Sequence, residues 1–483
     1  MGLKRSKNRP RFGTFSLRIF LPRRFLVTLL LFLAVASLVG GEFWRRQNLY
    51  WYDVHHDYRM SFASDRVLRM PVEISAAGFV VPAVADEWDT AVLRMRLSSK
   101  LTGFWFEPHM SIGDEGSAAP QFLERGLSGI RYSSFTGNKL APGDAVGLKG
   151  HHLKWKAQTG ELVLFSNPSL RAKRILVLAP HPDDAEIAAF GLYSEHESWI
   201  ATITAGNYVD GLYAHLYDSR RQQNELRGEM RAWDSITVPL LGGVGPERVV
   251  NLGYSNGSLE QLFEADDHDS ELDLYTNELH ARFRRGAVAE LLGDYPASPN
   301  WSGLVNDLSA LLRTIEPDII VAPHPALDAA PDHQLTTIAL IEALDRVADH
   351  RSILFLYTNH HVLAEYYPFG PSHSAAGLPP WFDATEPFAT IYSHPLDKHR
   401  QVQKLFALDA MHDLRAAPDR FVGGPSERFL SRIKWAAKEV VADPLGTYSY
   451  FRRAIRPNEL FFVYEPAERE LLKSLIAKKW RSQ

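Results

Sequence analysis

The chain has 483 residues, enough for two or three domains each with a full core, and its 45% hydrophobic and 23% charged residues are those of an ordinary globular protein. It contains no cysteine, which excludes disulfides and thiolate-bound metals. The net charge of -4 conceals an asymmetry: Lys4, Arg5, Lys7, Arg9, Arg11, Arg18, Arg23 and Arg24 stand in residues 1–24 without an acid, so the rest of the chain carries -12. An acidic body argues against nucleic acid as a partner.

The basic tail over 1–24, suited to anionic lipid, is followed by the uncharged run from Phe25 to Gly41. Seventeen residues reach roughly 25 Å at 1.5 Å per residue, the short end of a bilayer span. A transmembrane anchor over 25–42 is the expectation; a cleaved signal peptide is its rival, because Ala34-Val35-Ala36 resembles a small-residue cleavage site. The long basic leader and the aromatic flank Phe43-Trp44 and Tyr50-Trp51-Tyr52 favour the anchor. The charge bias then predicts a cytoplasmic N-terminus and a single-pass protein of a bacterial inner membrane, with its body in the periplasm.

Residues 62–170 predict a run of short strands. Leu93-Arg94-Met95-Arg96-Leu97 alternates apolar and charged, and Phe104-Trp105-Phe106, Gly129-Ile130-Arg131-Tyr132 and Leu162-Val163-Leu164-Phe165 follow between turn residues. This pattern predicts an all-β sandwich or jelly-roll domain, with sugar binding or a structural docking role both open. His109 and His151-His152 are read as solvent or strand-edge histidines.

From 171 to 470 the pattern changes to α/β. Candidate strands are Ile175–Pro180, Ile200–Thr204, Val249–Leu252, Ile319–Ala322 and Ile353–Tyr357, with helices over 184–194, 218–235, 302–315 and 333–348 and a closing strand Glu459–Tyr464. That alternation predicts a doubly wound, Rossmann-like domain. No Gly-x-Gly-x-x-Gly follows the first strand, so a dinucleotide is not expected. The insertion 260–300, with Asp266, Asp267, Asp269, Glu271 and Asp273, lacks the glycine and spacing of a calcium loop and is read as a solvated face. Residues 359–381 predict a long loop over a site.

The chemistry concentrates at two strand ends. Ile175-Leu176-Val177-Leu178-Ala179 runs into Pro180-His181-Pro182-Asp183-Asp184-Ala185-Glu186. Taken alone, this is either a metal-binding strand end or a strand, a turn and a helix cap with an ordinary loop histidine. The second strand favours the metal: Ile319-Ile320-Val321-Ala322 ends in Pro323-His324-Pro325 and leads to Asp328, Asp332 and His333. Two strand ends of one sheet, each carrying His and Asp, can converge on one ion with three protein ligands and an open position.

Pro180-His181-Pro182-Asp183-Asp184-Ala185-Glu186, paired with Asp328-x-x-Pro331-Asp332-His333, resembles the PIG-L/LmbE family of zinc-dependent N-acetylglucosaminyl de-N-acetylases. The likeness covers about residues 171–360, with Thr202-Ile203-Thr204-Ala205-Gly206 and Leu252-Gly253-Tyr254-Ser255-Asn256-Gly257 as lesser support. It implies Zn²⁺, or another divalent transition metal, held by His181, Asp184 and His333, with Asp183 as general base. Glu186 and Asp332 would orient the ligand histidines. The implied substrate is an N-acetylated amino sugar, lipid-linked or part of an envelope glycan, losing its acetyl group. Arg221, Asn256, His360 and His361 are candidates for contacting it; for Arg221 a surface ion pair with Glu225 is the competing reading.

Two positions depart from the family pattern. The family writes the second motif His-Pro-Asp-His, the first histidine stabilising the oxyanion, and here Ala330 stands in its place. Asn256 replaces an aspartate usual in the third-strand motif. His324, or His360 or His361 from the loop, is the candidate substitute for the missing histidine, with strand capping as the alternative role for His324. An amidase or deacylase of another N-acyl compound, or a glycan-binding protein with impaired catalysis, are the competing functional readings.

Overall fold

Alternation along the central strands sets the architecture. The computed structural model describes residues 23–47, 50–411 and 450–481, except 76, 84–86, 114–118, 136–140, 209–212, 214–215, 266, 269–273, 294–297 and 348–349. Residues 1–22 of the expected basic tail, and Asp266, Asp269, Glu271 and Asp273 of the acidic insertion, lie outside these. Residues 1–49 and 50–483 form separate units. In the first, α1 (Arg23–Gln47) is a 25-residue helix in which Val27, Leu30, Leu31, Phe32 and Val35 are more than half exposed. Among the described residues no helix is long and apolar enough to cross a membrane, so the anchor expected over 25–42 is not supported.

In the second unit the antiparallel strands come first: β1 (Val67–Glu73), β2 (Thr90–Ser99), β3 (Ser128–Phe135), β4 (Leu153–Trp155) and β5 (Thr159–Phe165). They form one sheet in the order β1-β5-β2-β3, with β4 added on β2. A small sheet of Gln121–Phe122, His109–Ile112 and Leu148–His151 shares its core: Leu93, Leu97, Leu162 and Leu164 bury with Met110, Ile112 and Leu148. The other face of the larger sheet is buried too. Val92, Tyr132, Val163 and Phe165 lie in the same cluster as Leu176 and Leu178 of the α/β part. The apolar-and-charged alternation over 93–97 therefore describes only part of β2, because the preceding Thr90–Val92 are also fully covered.

The larger sheet has eight strands: β6 (Arg174–Ala179), β7 (Glu197–Thr204), β8 (Val249–Tyr254), β9 (Arg285–Gly286), β10 (Ile319–Pro323), β11 (Ile353–Tyr357), β12 (Thr390–Pro395) and β13 (Asn458–Tyr464). Their order is β9-β8-β7-β6-β10-β11-β13-β12, parallel from β8 to β11 and antiparallel at both edges. Between strands run α2 (Asp184–Glu195), α3 (Arg220–Thr237), α4 (Trp301–Ile315) and α5 (Pro331–Arg346). Leu176 and Leu178 pack toward Leu304, Leu308 and Leu340 of α4 and α5, while Ile175, Val177 and Ala179 pack toward Ala188, Phe190 and Leu192 of α2. A strand covered on both faces has no use for polar residues, which is why β6 and β10 are continuous aliphatic runs.

One buried ion pair ties residues 50–58 to the antiparallel sheet. Arg131 Nε donates to both Glu124 oxygens at 3.0 and 3.1 Å, both side chains being fully buried. The other guanidinium nitrogens donate to the carbonyls of Val54, His56 and Ile130, and Tyr52 and Tyr58 donate to Glu124. With every polar group satisfied the pair is tolerated; with one partner removed the other is a buried, uncompensated charge. Arg131→Met is expected to lower stability by about 3–5 kcal/mol in denaturant titration. A loss below about 1 kcal/mol would show that Glu124 finds other compensation.

Candidate metal centre

Strand order reverses between β6 and β10. The chain grows from β6 through β7 to β8, then returns to place β10 and β11 on the opposite side of β6. Loops leaving two such neighbours diverge to opposite faces and leave a crevice at the carboxyl ends of the strands. His181 lies two residues beyond β6, and His333 sits in the first turn of α5. Pro331 at the first helical position, where a missing N–H costs nothing, starts that helix.

The two ends meet. His181 Nδ1, Asp184 Oδ2 and His333 Nε2 form a nearly equilateral triangle with sides of 3.2, 3.1 and 3.2 Å. Two ligands about 2.0–2.1 Å from a tetrahedral ion stand roughly 3.3 Å apart, so the spacing suits a small divalent cation. These three are the group of His and acidic side chains placed to hold a metal among the described residues. Each remaining polar edge of the triangle is held from behind. His181 Nε2 donates to Asp332 Oδ2 at 3.1 Å, and the backbone N–H of Gly257 donates to the same oxygen at 2.7 Å. His333 Nδ1 lies 3.2 Å from Asp328 Oδ2. Asn359 Nδ2 donates to Asp184 Oδ1 at 2.7 Å, and the backbone N–H groups of Asn359 and His360 donate to Asp328. Fixing one ring nitrogen on a carboxylate leaves the other aimed at the metal position.

The electrostatics point the same way. Burial opposes protonation of His181, but Asp184 and Asp332 outweigh it and hold its pKa up at about 9. His333 is likewise buried yet raised well above the usual histidine value by Asp184 and Asp328. Burial would push Asp184 up, but the two imidazoles hold it well below the usual carboxylate range. So much buried negative charge favours a cation among these side chains.

A cleft of about 290 Å³ opens over the triangle, lined in part by Asp183, Arg231, Asn256, His360 and Tyr450. Asp183 stands outside the triangle with Oδ1 3.0 Å from the Arg231 guanidinium. It occupies the N-cap position of α2 but makes no side-chain cap hydrogen bond, so the helix-cap reading of this motif does not describe its side chain. Gly206, at φ +59°, makes room for Arg231: a Cβ there would lie 2.5 Å from Arg231 Nε. Asn256 is at the rim, its backbone N–H donating to Asn207 and its side chain to the Tyr208 carbonyl.

Four expected site residues are placed elsewhere. His324 continues the alternation of Ile320 and Ala322 into the core and packs against the rings of Phe388, Phe462 and Tyr464. Its Nε2 is 3.3 Å from the Tyr464 hydroxyl, and it is fully buried. Glu186 is turned to Tyr193, whose hydroxyl donates to it at 3.1 Å, and not to a ligand histidine; burial raises its pKa to about 8. Arg221 is a largely exposed residue paired with Glu225 and Glu278, the surface ion pair that its spacing allowed. His361 is buried against Tyr367 and accepts the Leu363 N–H.

Other residues take their places. The cleft arginines are Arg227 and Arg231, on the α3 face that also buries Gln223 and Ser235; this i, i+4 polar stripe is visible in the sequence once the helix is known to be covered. Asp328, Asn359 and Tyr450 support the ligands or wall the cleft, and the described signal for Asp328 was only its place in the second motif.

Metal content measured on the purified chain should be near one per molecule and fall to near zero in His181→Ala, Asp184→Ala and His333→Ala. Asp332→Asn should retain the metal with affinity weakened about 10–100-fold, because it loosens the His181 ring without removing a ligand. Full stoichiometry in His333→Ala would rule out this centre.

Residues 176–344 match the PIG-L family model, described as GlcNAc-PI de-N-acetylase. No curated protein matches the chain. Among solved structures, the N,N'-diacetylchitobiose deacetylase from Pyrococcus horikoshii, in complex with its inhibitor, is 19% identical; the match covers 61% of this chain and 84% of that one, with a TM-score of 0.31. GalB, the 4-carboxy-2-hydroxymuconate hydratase from Pseudomonas putida KT2440, is 11% identical over 61% of this chain and 96% of that one, with a TM-score of 0.29. Likenesses of that size carry no functional argument. The match to the PIG-L family model spans both ligand-bearing strand ends.

Proposed function

We propose that the chain is a zinc-dependent hydrolase that removes the acetyl group from an N-acetylated amino sugar of the GlcNAc type. The observation that carries this reading is the His181–Asp184–His333 triangle, open to a cleft and accompanied by an unligated carboxylate, Asp183, inside the PIG-L match. A divalent ion bound there supplies Lewis acidity toward an amide carbonyl and lowers the pKa of water.

The residues of the chain do the rest. Asp183 accepts the proton from the attacking water and returns it to the departing amine, a task for a carboxylate that is close to the metal but not consumed by it. Arg231, 3.0 Å from Asp183, fixes that carboxylate toward the cleft. Arg227 is held by the Gly206 and Tyr208 carbonyls and lines the same wall, where guanidinium donors and Asn256 suit sugar hydroxyls.

His360 takes the position facing the acyl oxygen that Ala330 leaves without a donor. Its ring is 5.1 Å from that of His333, and it stacks on Tyr450 at 5.2 Å with the planes 4° apart. Burial, reinforced by the neighbouring His333, pushes its pKa down, so it is a neutral imidazole with one N–H to donate. The Tyr450 hydroxyl, 3.2 Å from His360 Nε2, orients it.

Acetate release from N-acetylglucosamine, its β-linked oligomers and its glycolipids tests the reading. Asp183→Asn is expected to lower kcat about 10²–10⁴-fold with bound metal unchanged, and His360→Ala about 10²-fold. A fully metal-loaded chain that releases no acetate from any of these substrates would overturn the assignment.

A further inference from the structure

Beside the cleft lies a second space, a partly open chamber of about 70 Å³ lined by α2, the residues after β11, β13 and the short helix Tyr450–Arg453. Its lining is charged: Lys404, Arg453 and Arg456 against the single acid Glu459. That acid is already committed. Glu459 accepts from Lys404 Nζ at 2.8 Å and from the backbone N–H groups of Gly191 and Leu192 at 2.9 and 3.0 Å. Arg456 is likewise engaged, donating to the carbonyls of Pro368, Phe369, Gly370 and Ser374.

Arg453 is different. It is only 5% exposed, and among the described residues neither its Nε nor its Nη1 has a hydrogen-bond acceptor. Burial depresses its pKa more than the surrounding acids and phenols raise it. The guanidinium lies 5.1 Å from the Tyr366 ring centroid and 6.0 Å from that of Tyr450. Aromatic rings attract the flat face of a guanidinium and give its in-plane N–H groups nothing to bond. The Thr358 hydroxyl, on the chamber wall, is a further buried polar atom without a partner among the described residues. Unmet buried donors are costly, and a guanidinium N–H gives a carboxylate a charge-assisted hydrogen bond, roughly twice as strong as a neutral one.

We propose that this chamber is a binding site for a small carboxylate anion of acetate size, held by a charge-assisted hydrogen bond from the Arg453 guanidinium and assisted by the Thr358 hydroxyl. The volume has room for several waters or for a solute of about four non-hydrogen atoms. Two cationic side chains beyond the Lys404–Glu459 pair line a space with no second acid. Tyr450 walls both the chamber and the metal cleft, which places the anion one ring away from where an acetyl group would be cleaved. The identification of the natural anion as product acetate rests on the proposed function above; the carboxylate site itself does not.

Carbon-13-labelled acetate titrated onto the full, metal-loaded chain and followed by saturation-transfer NMR should show saturable binding. Arg453→Gln is expected to weaken it about tenfold or more, the effect of losing a charge-assisted hydrogen bond, and Arg453→Lys to restore part of it. Thr358→Val, which removes no charge from the interior, should weaken it by a smaller factor and serves where Arg453→Gln does not fold. His333→Ala removes any acetate seated on the metal and should leave chamber binding in place. Acetate lost in His333→Ala but unaffected by Thr358→Val and the Arg453 variants would put it on the metal and overturn the proposal. So would the absence of saturable binding, or saturable binding of inorganic phosphate with acetate refused. Because the readout is binding, the result is independent of whether any acetylated sugar is hydrolysed.

Discussion

Everything in the candidate site depends on β6 and β10 being parallel neighbours. Their register aligns Ile175 with Ile319, Leu176 with Ile320 and Val177 with Val321. A slip of one residue would exchange the two faces of a strand and carry a ligand-bearing loop away from its partner. A ligand triangle with sides near 3.2 Å does not survive such a shift. The precision comes from packing: both strands are buried on both faces, so a slip would expose aliphatic side chains on one face or crowd them on the other. The Tyr357 hydroxyl, donating to the Leu178 carbonyl at 3.0 Å, adds a link from β11 across β10 to the end of β6.

The supporting carboxylates explain why a dication suits this place better than protons. Asp184, Asp328 and Asp332 are all buried, against two imidazoles. With both histidines neutral, three negative charges sit in a region screened from water, and desolvation of that size has to be offset locally. A divalent ion meets three donors at once, whereas protonating each imidazole cancels one charge and blocks the ring nitrogen that faces the others. The orienting acids Asp328 and Asp332 thus set both geometry and charge, and both follow β10, so one strand end orients a ligand from each.

Much of this was legible in the residues. Aliphatic runs at β6, β10 and β11 announce doubly covered strands, and the helices between them follow the expected ranges within a few residues. The pair His181 and His333 was legible because each follows such a run. What failed was direction. His324 also ends a strand, but period-two alternation places it with Ile320 and Ala322, and nothing in Pro323-His324-Pro325 says that the strand has not yet turned. Glu186 ends the motif in the first turn of α2 and faces Tyr193, a contact made inside α2 and invisible until the helix is placed. Tyr450 and Arg231 come from segments far along the chain whose only signal is a ring or a charge among many. In α1, composition suggested a spanning helix, whereas no described helix meets the length and hydropathy that crossing requires.

The short helix Tyr450–Arg453 shows how one turn serves two spaces. Residues three apart on a helix lie on one side of it, yet their side chains differ in reach. Tyr450 lies flat on His360 at the edge of the cleft, while Arg453 enters the chamber behind the same ring. The chain reaches this point only after β12 and α6 (Lys398–Ala410) are complete, and β13 then follows immediately as the penultimate strand of the sheet. The helix is therefore anchored at its C-terminal end by an inner strand rather than left as a surface loop. That anchoring is what allows an aromatic ring to hold a histidine beside a metal position, and it leaves a buried guanidinium on the far side of the ring. An interior charge without an acceptor costs stability wherever it stands. One kept next to the candidate metal centre, with two of its nitrogens unmet among the described residues and aromatic rings beside it, is better accounted for by an anion than by packing.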